Sequence, residues 1–406
     1  MRRLAVRVVS GLGLLSGLGI SAAVMPPDAD RQLAREIYKE MVEIRSGYTT
    51  GATTPVAEAV ASNFSNLYVV NEDDNTIVQF AIGNDGKVYP QNTVNTPGVF
   101  PMGIAVNGPH LYVADTYQPL PACSPAQPCS GSVAVLPLSS SGQPGAAVGN
   151  GEINYWPLTA PCSPTDVLTP TAINAAPSGK YVFVSAYDAT AAESDSTTDP
   201  AANTCDVNGI GTAPTGYVFA FSANSNGTLT AVSGPPFVVA ARGTNGAGVN
   251  PSAIVTDPGS QYLYVADFAG EDIYGYTLSS GALRAMSDSP FSAGDQPAAI
   301  AVDSAGSYAY VANSLDNTIT AYTIHEGALK TFGTFTVSPQ PVAVLVDPST
   351  DHFVYAAGYL ASSVSGYQLM TDGGTPTLVD TQASPYTGNA QMTAMTAIPH
   401  GSTAKQ

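Results

Sequence analysis

The sequence predicts an all-β protein, a propeller of four-stranded blades, on three observations. First, a Pro-led segment of small apolar and β-branched residues begins at Pro55, Pro101, Pro170, Pro251, Pro297 and Pro341. Successive starts lie 46, 69, 81, 46 and 44 residues apart. The base period is therefore about 45, the range of a propeller blade. Second, each Pro is followed after 13, 11, 13, 13, 13 or 14 residues by an aromatic-led segment: Tyr68-Val-Val-Asn71, Tyr112-Val-Ala-Asp115, Phe183-Val-Ser-Ala186, Tyr264-Val-Ala-Asp267, Tyr310-Val-Ala-Asn313 and Tyr355-Ala-Ala-Gly358. Third, only 11% of residues are charged, whereas 39 are Gly and 32 are Pro. That composition suits turn-dense β structure.

Two further strands complete each repeat. Third strands are read at 76–82, 131–138, 216–223, 272–278, 318–324 and 363–369, and weaker fourth strands follow, as at 229–232 and 378–381. One small twisted sheet cannot bury both faces alone, so the repeats should stack around an axis. Solenoid coils are shorter than this period, and sandwiches lack such repetition. Six complete repeats are expected, and Met392 to Ile398 copies the opening segment without the rest of a blade. It should be a lone strand from a seventh blade, at the seam of an interrupted ring.

Residues 1–23 carry Arg2 and Arg3, then an apolar run, then Ser21-Ala-Ala23. This is the layout of a secretory signal peptide, which places the protein in the periplasm or outside the cell and leaves no membrane span after cleavage. Residues 24–53 read as a helical leader and linker. Leu33, Ile37, Met41 and Ile44 recur at helical spacing between Asp28 and Arg45, predicting one helix outside the propeller. The propeller should occupy 54–400, with a tail at 401–406.

Two blades carry insertions. Gln118 to Ser130 holds Cys123 and Cys129, a spacing that predicts a loop-closing disulfide in an exported protein. Thr190 to Thr215 holds Cys205, and its pairing with Cys162 is open.

The quartets such as Tyr310-Val-Ala-Asn313, preceded by Pro297-Ala-Ala-Ile-Ala-Val-Asp303 and followed by Asn317-Thr-Ile, resemble the seven-bladed propellers of the YVTN-repeat and lactonase-like superfamily over about 54–400. The helix, with Gly51-Ala-Thr-Thr-Pro-Val-Ala-Glu58-Ala, resembles the start of exported dizinc exopeptidases of the aminoacylase and carboxypeptidase type. None of that family's metal ligands maps onto this chain, so no peptidase activity follows.

Chemistry is sparsely signalled. The formal charge of −18 excludes a phosphate-backbone partner, so no nucleic acid is expected. The four His, at 110, 325, 352 and 400, are scattered and read as exposed turn residues. No metal cluster is visible. Gly243 to Gly248 has the wrong spacing for a nucleotide loop and reads as an interblade connection. The polar residues closing the second strands, Asn71, Glu72, Asp73, Asp115, Asp188, Asp267 and Asn313, should border one mouth of the axial channel. An acidic ring there could hold a cation such as Ca²⁺, although Asp and Asn at strand ends also cap their own turns. No other cofactor is expected. Lactonase-like propellers place polar and basic groups in the funnel, as the resemblance implies. Only Arg242 and Arg284 are arginines of the propeller here. Two readings follow: an exported noncatalytic scaffold for a protein or glycan ligand, and, as the alternative, a lactonase-type hydrolase of the 6-phosphogluconolactonase-like kind.

Overall fold

The computed structural model describes residues 55–61, 63–83, 87–119, 123, 129–159, 167–189, 216–232, 237–238, 250–372, 374–388 and 391–397. The expected signal peptide and helix, Cys162, Cys205, Arg242, His400, the 243–248 loop and the tail lie outside these residues.

Every described element is a strand. Blade one is β1 (Pro55–Val60), β2 (Asn66–Asn71), β3 (Thr76–Ile82) and β4 (Val88–Asn95). Blade two is β5 (Val99–Asn107), β6 (His110–Tyr117), β7 (Ser132–Pro137) and β8 (Trp156–Pro157). Blade three is β9 (Leu168–Ala175), β10 (Tyr181–Asp188), β11 (Gly216–Ala223), β12 (Leu229–Ala231) and β13 (Phe237–Val238). Blade four is β14 (Pro251–Thr256), β15 (Tyr262–Asp267), β16 (Asp272–Ser279), β17 (Ala282–Ala285) and β18 (Phe291–Ser292). Blade five is β19 (Pro297–Val302), β20 (Tyr308–Asn313), β21 (Thr318–His325) and β22 (Ala328–Thr336). Blade six is β23 (Pro341–Val346), β24 (Phe353–Gly358), β25 (Ser363–Met370), β26 (Thr377–Asp380) and β27 (Tyr386–Thr387). Each is an antiparallel sheet in chain order, and in blades three, four and six the outer strand is split into two pieces on the same neighbour. The six blades form a ring, a propeller.

The Pro-led segments are the innermost strands, and each carries a bulge one residue after its Pro, as between Pro251 and Ala253 or Pro297 and Ala299. Proline tolerates this place because an innermost strand is a sheet edge and needs no ladder donor there. The aromatic-led segments are the second strands. Tyr68, Phe183, Tyr264, Tyr310 and Tyr355 are fully buried. Two of the hydroxyls pin one blade to the next: Tyr68 donates to Gly142 O at 2.6 Å and Tyr264 to Gly327 O at 2.8 Å. Gly142 and Gly327 sit at φ 81° and 84°, and a Cβ on Gly327 would meet the ring of Tyr262 at 2.4 Å.

The core is a series of layers between blades. Ile77 and Val70 of blade one pack with Leu111 and Val113 of blade two. Equivalent layers join blades two and three, three and four, four and five, and five and six. Each innermost strand packs on the next, from β1 through β5, β9, β14 and β19 to β23, whereas β23 and β1 make no comparable contact. Residues 391–397 lie at that seam. Met392, Met395 and Ala397 pack on Phe353, Tyr355 and Tyr386 of blade six, and Thr393 Oγ1 donates to Pro55 O of β1 over 2.9 Å. The expected lone strand is corrected here: the segment occupies the seam but forms no ladder. Strand structure needs a hydrogen-bonded neighbour, and side-chain packing alone supplies none.

His110 also departs from expectation. It begins β6 at 8% exposure, beside the ring of Tyr112, and burial lowers its pKa. The nearby backbone of Gly227 closes over its imidazole.

Candidate functional site

The second strands all run to one mouth of the channel, which places Asn71, Asp115, Asp188, Asp267 and Asn313 at corresponding strand ends. All five are buried, between 0% and 4% exposed. Three of them order their own turns. Asn71 Nδ2 donates to Thr76 Oγ1 at 2.9 Å. Asn313 Nδ2 donates to Thr318 and Thr320 hydroxyls at 3.0 and 2.8 Å, while its Oδ1 accepts from Gly294 N at 3.2 Å. Asp267 Oδ1 accepts from the backbone of Asn250 at 2.8 Å and of Ala269 at 3.3 Å.

Asp115 differs. Neither buried carboxylate oxygen makes a hydrogen bond of ordinary geometry, although the Thr96 hydroxyl and Gly98 amide stand close by, and the hydroxyl of Ser132 directly across the ladder is buried without a partner. Burial pushes the Asp115 carboxyl up from 3.8 to about 8, partly offset by the adjacent Thr96 hydroxyl and Gly98 amide. Glu72, Asp73 and Asp74 form the turn between β2 and β3, with Asp73 and Asp74 exposed. Arg284 stands on β17, opposite Thr277 on an outer strand and away from the axis. Among the described residues no group of three His, Cys, Asp or Glu could hold a metal ion. Cys123 and Cys129 are joined, with Cα atoms 5.4 Å apart.

Sequence reasoning missed the residue with the best position. Glu58 is the single ionisable side chain on the six innermost strands. It faces Val69 across the ladder and so shares the face of Leu67, Val78 and Phe80, turned away from blade two toward the seam. The residue keeps some exposure, yet its Oε1 is buried and unpartnered. Desolvation raises the carboxyl from 4.5 to about 8. The sequence carries a partial signal: of the six Pro-led segments only Pro55-Val-Ala-Glu58 has a charge within its first four residues, and that charge marks a site only once the segment is known to lie innermost. A cleft of about 360 Å³ between blades one and two is lined by Asn63, Asn66 and Gly142 among others, and Glu58 is not part of its lining.

The family described as "Lactonase, 7-bladed beta-propeller" matches residues 163–389, more than half of the chain. The chain belongs to this lactonase propeller family. Its described residues build six blades where the family's name gives seven. Among solved structures, a periplasmic gluconolactonase of Pseudomonas aeruginosa is 18% identical, with a TM-score of 0.62 over 87% of this chain and 91% of that one. A Bacteroides uniformis protein provisionally described as a 6-phosphogluconolactonase is 17% identical, with a TM-score of 0.64 over 86% and 90%. A Lactobacillus plantarum protein is 16% identical, with a TM-score of 0.59 over 86% and 89%. At these identities the likeness is one of fold. No curated protein matches by sequence. Neither the family nor the structures lend support to the exopeptidase resemblance of the leader.

Proposed function

We propose that this family member is an exported lactonase-type hydrolase that opens a lactone ring with water, with Glu58, on the seam-facing side of the innermost strand of blade one, as its general acid and base. The supporting observation is Glu58 itself: a carboxyl on an innermost strand whose Oε1 is buried without a hydrogen-bond partner, in a chain whose family is that of the lactonase propellers. A carboxyl raised to about 8 holds its proton at neutral pH and can donate it. Water adds to the lactone carbonyl, the ring C–O bond breaks, and the ring oxygen takes the proton of Glu58. A proton of the added water restores the acid, and ionisation of the product carboxyl releases one to solvent.

A second reading, a noncatalytic scaffold that binds a protein or glycan, is favoured by one specific observation. Apart from Glu58, the six innermost strands carry neither acid nor base, only residues such as Ala57, Met102, Thr171, Ser252, Ala299 and Val342. A panel of sugar lactones separates the two. Turnover that falls at least 100-fold in Glu58→Gln supports the enzyme, and the Arg242→Ala variant tests whether a base of the 239–249 connection takes part. Absence of turnover across the panel returns the scaffold reading.

A further inference from the structure

The cleft of about 360 Å³ between blades one and two has a chemistry of its own. It is built by β2, by the turns between β1 and β2 and between β5 and β6, and by the loop after β7, and among the described residues that line it none is charged. Its size falls within the range of about 300 to 1,000 Å³ of small-molecule sites. Asn66, only 6% exposed, is the buried amide of the lining, and a relay of neighbouring amides fixes its orientation. Gln79 Nε2 donates to Ser141 O over 3.4 Å and to Asn66 Oδ1 over 2.8 Å, and Gln79 Oε1 accepts from Asn92 Nδ2 over 2.9 Å. A backbone carbonyl only accepts, so the Gln79 group facing it is the NH₂, and Asn66 presents its oxygen to that same group. Asn66 Nδ2 is thereby left to the cleft, and it donates to no described residue. Beside it, the Tyr68 hydroxyl spends its proton on Gly142 O at 2.6 Å and can only accept a second bond. A Cβ on Gly142 would stand 2.3 Å from Asn66 Nδ2 and 2.8 Å from the Tyr68 hydroxyl, so glycine at this position keeps the approach to both groups open.

We propose that this cleft is a second site, which binds a neutral saccharide through its hydroxyls. A buried amide N–H beside an acceptor-only oxygen is matched by a group that accepts and donates at one atom, and a hydroxyl does both. A carboxylate has no proton for the Tyr68 oxygen, and an ammonium has no lone pair for the Asn66 N–H. Neither meets a counter-charge in the described lining, so each would give up its hydration without compensation. At the rim Asn63, Ser139 and Ser140 are exposed, and they extend the set of amide and hydroxyl groups that neighbouring hydroxyls of one sugar ring can meet. Glu58 is not part of this lining, so the site goes beyond the lactonase reading and does not depend on it.

Calorimetry of the full-length protein with glucose, galactose, N-acetylglucosamine and maltose, and with glucuronate and protonated glucosamine as charged counterparts, tests the site. At least one neutral sugar should bind, about 10-fold or more tighter than either charged one. Asn66→Asp keeps the acceptor for Gln79 and removes the lone donor, and it should weaken that sugar about 10-fold, the worth of one buried hydrogen bond. Asn66 is buried, so a second variant guards against misfolding. Ser140→Trp, at an exposed rim position, should fill the cleft and abolish binding, with the melting temperature and any lactone turnover of the unaltered protein retained. Binding of no neutral sugar, equal binding of the charged ones, or a sugar that Ser140→Trp leaves bound overturns the inference. Loss of lactone turnover together with sugar binding in Ser140→Trp would place the sugar in the reaction site, and this too overturns it while the lactonase reading stands. If no lactone is turned over at all, the lactonase reading fails and the sugar titrations still decide this one.

Discussion

The side-chain oxygen of Asn317, in the turn between the second and third strands of blade five, accepts the backbone N–H of Gln340 over 2.7 Å, just before Pro341 opens blade six. Asn75 does the same for Phe100, just before Pro101 in the innermost strand of blade two, at 2.6 Å. All four residues hold positive φ, between 54° and 58°. The Asn of each Asn-Thr-Ile segment is thus both the turn residue and a latch to the next blade. Asn tolerates this backbone better than most residues because its short amide bonds locally. Blade four has Glu271 and blade six Ser362 at the corresponding turn.

Asn317→Gly keeps the backbone accessible and removes the latch. It should cost about 1 kcal/mol, the net worth of one hydrogen bond. Asn317→Ala adds left-handed strain and should cost about 1 kcal/mol more. Urea unfolding of both variants measures the difference.

Glu58 links stability and activity to pH with a definite sign. Its folded pKa stands near 8 against an ordinary 4.5. Between those values the folded chain holds a proton that the unfolded chain has lost, so stability falls as pH rises through the window and the loss is complete above about 8. Each unit of displacement is worth roughly 1.4 kcal/mol. Glu58→Gln should flatten this decline in melting temperature from pH 5 to pH 9. The same titration should bring lactone turnover by the unaltered protein down above pH 8.

Asp115 shows the same direction of linkage, from 3.8 to about 8. Asn stands at the matching strand end in blades one and five, where it bonds the opposite Thr hydroxyl. Asp115→Asn should therefore reach Ser132 and stabilise the protein at neutral pH by about 1 kcal/mol. A stabilisation that is the same at pH 5 and pH 8 would contradict the burial of an ionisable acid there.

The seam offers a test of ring closure. Met392 and Met395 cover the free face of blade six, so Met392→Asp with Met395→Asp should lower the melting temperature and shift the protein to larger species in size-exclusion chromatography. Uncovered apolar sheet surface associates. A monodisperse monomer with unchanged melting would show that blade six closes the ring without residues 391–397.

Cys123 and Cys129 should resist alkylation in protein recovered from an oxidising compartment until a reductant is added. Mass spectrometry of the peptide carrying both reads this directly, since a pair still joined is 2 Da lighter than two thiols by simple proton count.

The repeat of Pro-led and aromatic-led segments determined the architecture by itself. Strand order, blade limits and the buried Tyr68, Tyr264 and Tyr310 all follow from side-chain period and spacing, which are local properties. The third strand of blade one, at 76–82, was legible to the residue. The role of the strand-end Asp and Asn residues was half legible: the residue types announce turns, but which carboxylate finds a partner depends on the facing strand, and only Asp115 meets a hydroxyl without bonding it. Glu58 was not legible as a site, because a lone Glu in a short apolar segment is indistinguishable from a surface residue until the segment is known to lie innermost. The seam belongs wholly to tertiary structure. Residues 391–397 carry the pattern of a strand, and a strand exists only where another backbone supplies its hydrogen bonds; among the described residues blade one meets this segment through a threonine hydroxyl on Pro55 O and not through a backbone ladder.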